Sequence, residues 1–370
     1  MREEPEAYFQ AAKGEFVTTK IAGAIVACLV MLMSVASGAL EPGATREKVW
    51  RQYLSPAEQA ALAEMTAAAA TNEAGLSEAG SETMLKTMRD SFAQFVSLAA
   101  PPPAGVNIRQ FEEKGLKGLW FEPKSAAGDR VLLYFHGGGY VAGSPLTGAA
   151  VAGYLAQRAG VISFSLDYPL APESPYPAAV DNALAAYQML LDQGIKAGNI
   201  VLAGDSAGGG LTLTTLLTIR DKGLSQPAGA ILLSPWADLS HSQPSITIKK
   251  DDDLYLNLGF LETLASMYVG GKDLKTPLIS PVYADLRGLP PLLIQVGSHE
   301  ILLDDALTIA RNAALADVPV TLTVWPGYSH VFQMPYAKLE GARKALDDGA
   351  GFISAAIERT LLSPKADPAK

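Results

Sequence analysis

A single serine stands between glycines in Gly204-Asp205-Ser206-Ala207-Gly208, directly after the apolar run Ile200–Ala203 and before a stretch of helical periodicity from about Gly209. A strand that turns at once into a helix pushes such a serine out beyond the sheet. The flanking glycines omit the Cβ atoms that would collide in so tight a turn. Glycine-serine strings are often only turns, and the strand–turn–helix context is what marks Ser206 as a nucleophile. Its hydroxyl needs a base before it can attack an acyl carbon. The chain carries four histidines. His136 belongs to a glycine loop and is expected to fix its shape, while His241, in Ser240-His241-Ser242-Gln243, reads as a solvated surface residue. Of His299 and His330, the latter lies after the last apolar run, at the rim that should also carry Ser206, and is the expected base.

An acid that orients the histidine should fall between the two in the chain order nucleophile, acid, histidine. The segment Gly297-Ser298-His299-Glu300 follows the run Leu292–Val296, and Glu300 is nearest to that strand end. Asp304 is the alternative, although it and Asp305 fall in the next helix, where carboxylates near an N-terminus stabilise in any case. Negative charge developing on a carbonyl oxygen requires fixed donors. His136-Gly137-Gly138-Gly139-Tyr140 follows another apolar run, Val131–Phe135, and three glycines let backbone N–H groups approach a ligand closely. Such a loop, together with the N–H of Ala207 after the nucleophile, suits an oxyanion hole.

The elements that must hold these residues alternate. Short runs rich in Val, Ile and Leu occur at Val131–Phe135, Val161–Leu166, Ile200–Ala203, Ala230–Leu233, Leu292–Val296 and Val320–Trp325. Helical stretches at Ala178–Leu191, Leu211–Lys222, Leu302–Ala316 and Arg343–Ile357 separate several of them. Continuous apolar strands imply burial on both faces, as in a mostly parallel sheet covered by helices. Val106–Gln110 and Gly118–Phe121 are expected to form an antiparallel edge pair. Ser55-Pro56-Ala57-Glu58 reads as a helix start with a capping box. A second helix is expected over Glu82–Val96, stopped by Pro101-Pro102-Pro103.

With these pieces in place, the chain resembles the hormone-sensitive-lipase-like branch of the α/β-hydrolases, a group marked by HGGG and GDSAG motifs. The likeness runs from about Val106 to Ile357 and includes Asp167-Tyr168-Pro169-Leu170-Ala171-Pro172-Glu173, which is similar to the family's DYRLAPE segment with Pro169 in place of arginine. Ser234-Pro235-Trp236 and His330-Val331-Phe332 also fit. The resemblance implies an α/β-hydrolase fold with a helical cap, and hydrolysis of carboxylic esters of short or medium acyl chain through Ser206, Glu300 and His330. It also implies an oxyanion hole formed by the N–H groups of Gly138, Gly139 and Ala207, with Gly137 shaping the loop. It implies no metal and no organic cofactor. Lactone hydrolysis by the same triad is an open alternative, as is a non-catalytic ligand-binding protein of the same fold, and a homodimer would be unexceptional. The expected organisation is a leader over residues 1–40, a helical cap segment over 41–104, a catalytic domain over 105–363 with a cap insertion at about 238–275, and a tail over 364–370.

Composition narrows the partners. Net charge is −9 over 370 residues, and a nucleic-acid ligand would call for a basic face instead. One cysteine, Cys28, excludes an intrachain disulfide and a multi-cysteine zinc site. Residues 21–40 form an uncharged stretch with sixteen apolar positions. It is readable as an export signal, as an uncleaved anchor that would contact membrane, or as a buried helix. Export to the periplasm or medium is the preferred expectation, with translation starting as late as Val17, since Glu3, Glu4, Glu6 and Glu15 do not suit a basic leader. Hydrophobic residues make up 49% of the chain. The excess is not explained by this stretch alone and belongs to a sheet buried on both faces.

Overall fold

The computed structural model describes residues 53–70 and 81–362. The expected leader and the tail therefore lie outside the described residues. An eight-stranded sheet forms the centre: β1 (Val106–Glu113), β2 (Leu116–Pro123), β3 (Ala127–Phe135), β4 (Val161–Leu166), β5 (Ile200–Asp205), β6 (Gly229–Leu233), β7 (Leu292–Gly297) and β8 (Val320–Trp325). Its spatial order is β1-β2-β4-β3-β5-β6-β7-β8. Only β2 runs against its neighbours β1 and β4; the remaining pairs are parallel.

Alternate residues of the inner strands feed two cores. Val131, Leu133, Phe135 and Leu202 pack on one face, with Leu184 of α4 (Ala178–Asp192), Leu216 of α5 (Ala207–Asp221) and Ile309 of α8 (Leu303–Leu315). Leu132, Tyr134, Val201 and Ala203 pack on the other, with Leu155 of α3 (Ala149–Ala159) and Leu346 and Ile353 of α9 (Glu340–Leu362). Burial on both sides is why these strands read as unbroken apolar runs. The edge strand β1 is exposed at most positions.

Two helices precede the sheet. In α1 (Pro56–Ala70) the Glu58 carboxylate accepts from Ser55 N at 3.0 Å, and Glu58 N donates to Ser55 Oγ at 3.3 Å, a reciprocal capping box. Helix α2 spans Ser81–Ala99. The segment reaches both faces, because Leu54 and Leu62 join one core while Leu85 and Met88 join the other. Between β6 and β7 the chain forms α6 (Ser245–Ile248) and α7 (Leu258–Val269), the latter capped by Asn257 Oδ1, which accepts from Phe260 N at 3.0 Å. Among the described residues no helix is long and apolar enough to cross a membrane.

Helix α3 is not foreshadowed by the sequence reading. It has no side-chain cap at Gly148 and opens on Ala149-Ala150, so no local signal marks its start, although seven of its eleven residues are buried. Helix α5 also begins earlier than its apolar periodicity, at Ala207, and takes three glycines into its first turn. Their poor helix propensity is overridden by space. A Cβ on Gly208 would strike the carbonyls of Phe135 and His136, and one on Gly210 the carbonyl of Trp236.

Candidate active site

Strand register brings the site together. Phe135 pairs with Gly204, so the glycine loop after β3 lies beside the turn after β5. Gly297 pairs with Trp325, so the Glu300 and His330 loops leave neighbouring strand ends at the same rim.

Ser206 occupies that rim in a backbone conformation few L-residues adopt, φ 54° and ψ −121°. Hydrogen bonds hold it there: Ser206 N donates to Leu233 O at 2.9 Å, and Ser206 O accepts from Trp236 N at 2.9 Å. Gly204 and Gly208 meet across the turn so closely that a Cβ on either would collide with backbone. Ser206 is also the one partly exposed residue in the otherwise buried stretch 201–219.

Glu300 is fully buried, and its Oε2 is 2.8 Å from His330 Nδ1. Its other oxygen accepts from Ser234 Oγ at 2.8 Å and Gly297 N at 2.7 Å. Ser234 Oγ accepts in turn from Val331 N at 3.1 Å, so one hydroxyl links the carboxylate to the residue after His330. Burial lowers the imidazole pKa, but the Glu300 hydrogen bond and charge, with more distant Asp253 and Asp205, outweigh it and raise His330 above its ordinary value. Asp304 is placed elsewhere: its carboxylate accepts from Ser245 N at 2.7 Å, pinning α6. Asp305 Oδ2 accepts from Ala237 N and Asp238 N at 2.7 and 2.8 Å.

In the glycine loop, Gly138, Gly139 and Tyr140 all have positive φ, at 116°, 63° and 62°. Gly137 N–H is taken by Asp205, which also accepts from Tyr134 Oη at 2.5 Å. Burial pushes the Asp205 carboxyl up to about 6. Among the described residues no acceptor is paired with the N–H groups of Gly138, Gly139 or Ala207. His136 is buried, stacks on Tyr168 with centroids 4.2 Å apart, and places Nδ1 2.7 Å from Gly137 O. Burial pulls its pKa to about 4, which keeps it neutral. Tyr168 Oη donates to His136 O at 2.7 Å, fastening the loop to the segment 167–173.

Sequence reasoning misjudged one histidine and passed over several supports. His241 is not a solvated surface side chain: it stacks on Trp236 at 5.9 Å, and burial lowers its pKa to about 4. Ser234 was visible only as part of a family string, with no role attached. Asp253 gave no signal within its acidic run, yet it is buried, accepts from Ile301 N at 2.8 Å, and is driven to about 6 by that burial.

A family profile described as alpha/beta hydrolase fold matches residues 132–334. The chain belongs to the α/β-hydrolase family. This hydrolase is 42% identical over 267 residues to an acetyl-hydrolase of Streptomyces hygroscopicus, covering 72% of this chain and 87% of the relative. It is 37% identical over 256 residues to an esterase of Acinetobacter venetianus, covering 69% and 84% of the two chains. Among solved structures, an esterase of the bacterial hormone-sensitive lipase family superposes with TM-score 0.76 at 35% identity, over 82% of this chain and 99% of that one.

Proposed function

We propose that this α/β-hydrolase cleaves carboxylic esters of short or medium acyl chain through an acyl-enzyme on Ser206. The observation that carries the reading is the buried Glu300–His330 hydrogen bond at the rim where the strained Ser206 turn emerges. Ser206 Oγ attacks the ester carbonyl while His330 Nε2 takes its proton. Glu300 holds Nδ1–H, which selects the useful tautomer and stabilises the imidazolium. The oxyanion rests on the N–H groups of Gly138, Gly139 and Ala207. Collapse of the tetrahedral species expels the alcohol, which receives the proton from His330. Water then repeats the sequence on the acyl-enzyme and releases the acid, so the overall reaction consumes ester and water alone.

The reading is supported by relatives named acetyl-hydrolase and esterase, and by a solved neighbour, at TM-score 0.75, that was soaked with p-nitrophenyl butyrate. Its test compares wild type with Ser206→Ala on p-nitrophenyl esters of increasing acyl length. The variant is expected to lose roughly 10⁴–10⁶-fold in kcat. Equal activity in the two proteins would exclude Ser206 as nucleophile. We further propose that residues 21–40 direct export, which N-terminal sequencing of the natively expressed enzyme tests: a mature chain that retains them refutes a cleaved signal.

A further inference from the structure

The turn that carries the oxyanion donors is held from outside the catalytic domain. Its own bonds run from Val141 N and Ala142 N to Gly138 O, at 3.1 and 2.9 Å. Tyr140, inside the turn, has φ 62°, a conformation that surroundings must enforce for an aromatic residue. On one side, Ala171 N donates to Tyr140 O at 2.9 Å. On the other stands Arg89 of α2. Its Nε donates to Val141 O at 2.8 Å and its Nη2 to Ala171 O at 3.0 Å. Nη1 and Nη2 grip the Glu173 carboxylate at 2.8 and 2.7 Å, and this bond holds the Glu173 pKa below its ordinary value. The segment 167–173 contains no cation of its own.

One planar guanidinium therefore ties three backbones: the N-terminal helix, the end of the oxyanion turn, and the segment that buttresses it. A lysine could not reproduce this fork, since its ammonium is a point charge. The helix is further fixed by Phe95 packing edge-on against Tyr255 at 5.6 Å.

We propose that Arg89 is a positioning residue for the oxyanion hole, so that docking of helix α2 and correct aim of the Gly138 and Gly139 N–H groups are one event. It touches no substrate atom. Its effect appears where those donors matter, in the charged tetrahedral species and not in the ground-state ester. The inference rests on the Ser206 acyl-enzyme reading.

The test uses the full chain with Arg89→Ala, Arg89→Lys and Glu173→Gln, counting active sites by the burst of p-nitrophenol so that any unfolded fraction drops out. Arg89→Ala is expected to lower kcat on p-nitrophenyl butyrate about 10- to 100-fold with KM within about twofold, the scale of a small misalignment at a reacting centre. The Ki of a trifluoromethyl ketone, which binds as the tetrahedral adduct, should rise by the same factor. Arg89→Lys should shift both in the same direction even if the alanine variant fails to fold. Glu173→Gln keeps the two carbonyl contacts and should stay near wild type. Added guanidinium should restore kcat in Arg89→Ala and leave wild type unchanged. The proposal is overturned if kcat per active site is unaltered in both Arg89 variants, or if it falls while the ketone Ki does not move. Activity persisting in Ser206→Ala would instead overturn the reading beneath it.

Discussion

Tyr328 donates its phenol proton to Glu58 across 2.8 Å, joining residues 270 positions apart in the chain. The same Glu58 oxygen accepts from Glu340 N at 3.1 Å and Gly341 N at 3.3 Å, at the start of α9. One buried carboxylate thus caps its own helix, caps the last one, and fastens the loop that carries His330. Burial alone would raise its pKa, but the bonds from Ser55, Tyr328 and Gly341 prevail and lower it. The folded pKa lies below the unfolded one, so the stabilisation is complete above the ordinary carboxylate value and is lost as pH falls through the folded value. Glu58→Gln is expected to cost about 1–3 kcal/mol at neutral pH. In urea titrations across pH, the gap between variant and wild type should close in acid. A gap independent of pH would mean that the charge of Glu58 is irrelevant.

Glu300 and Asp304, four positions apart, hold different partners: His330 Nδ1 and Ser245 N. Glu300→Gln removes the acceptor of His330 Nδ1–H and should cut kcat roughly 10²–10⁴-fold with KM little changed. Asp304→Asn weakens the contact that pins α6 and is expected to lower stability by about 1–2 kcal/mol while leaving kcat within about threefold. Steady-state kinetics beside thermal melts decide between them. The reverse ranking of kcat losses would move the acid to Asp304.

The raised pKa of His330 sets the direction of the pH profile. His330 accepts a proton only when neutral, so kcat/KM should fall as pH drops through a midpoint above the ordinary 6.5. Asp253→Asn removes one of the buried charges that raise it and should move this acid limb to lower pH without abolishing turnover. An unshifted limb would show that Asp253 does not influence the imidazole.

How much of this was readable in advance follows from how local each cause is. The turn around Ser206 is specified by neighbours within a few positions, and the capping box of α1 by four consecutive residues, so both stand out in the sequence. The parallel sheet was readable because burial on both faces leaves unbroken apolar runs. Helix α3 was not, since Gly148 supplies no side-chain cap and nothing else in the sequence marks where the helix begins. His241 was misjudged because its polar neighbours Ser240 and Ser242 turn to Asp238, at 2.5 and 2.7 Å from their hydroxyls, leaving the imidazole to lie on Trp236. Arg89, Glu58 and Asp253 act on partners distant in sequence, and nothing near them announces those partners.

Synthesis of the chain gives the Glu58 cap a temporal side. The helix it crowns at one end is the first described element, and the helix at the other end is the last. Glu58 is translated 282 residues before Glu340, which at about 5–20 residues per second is a delay of roughly 15–60 s. For that interval the core that Leu54 and Leu62 share with Leu346 and Ile353 of α9 lacks its last members. The carboxylate that staples the two ends together can close its bonds to Glu340 and Gly341 only once almost the whole chain has been made.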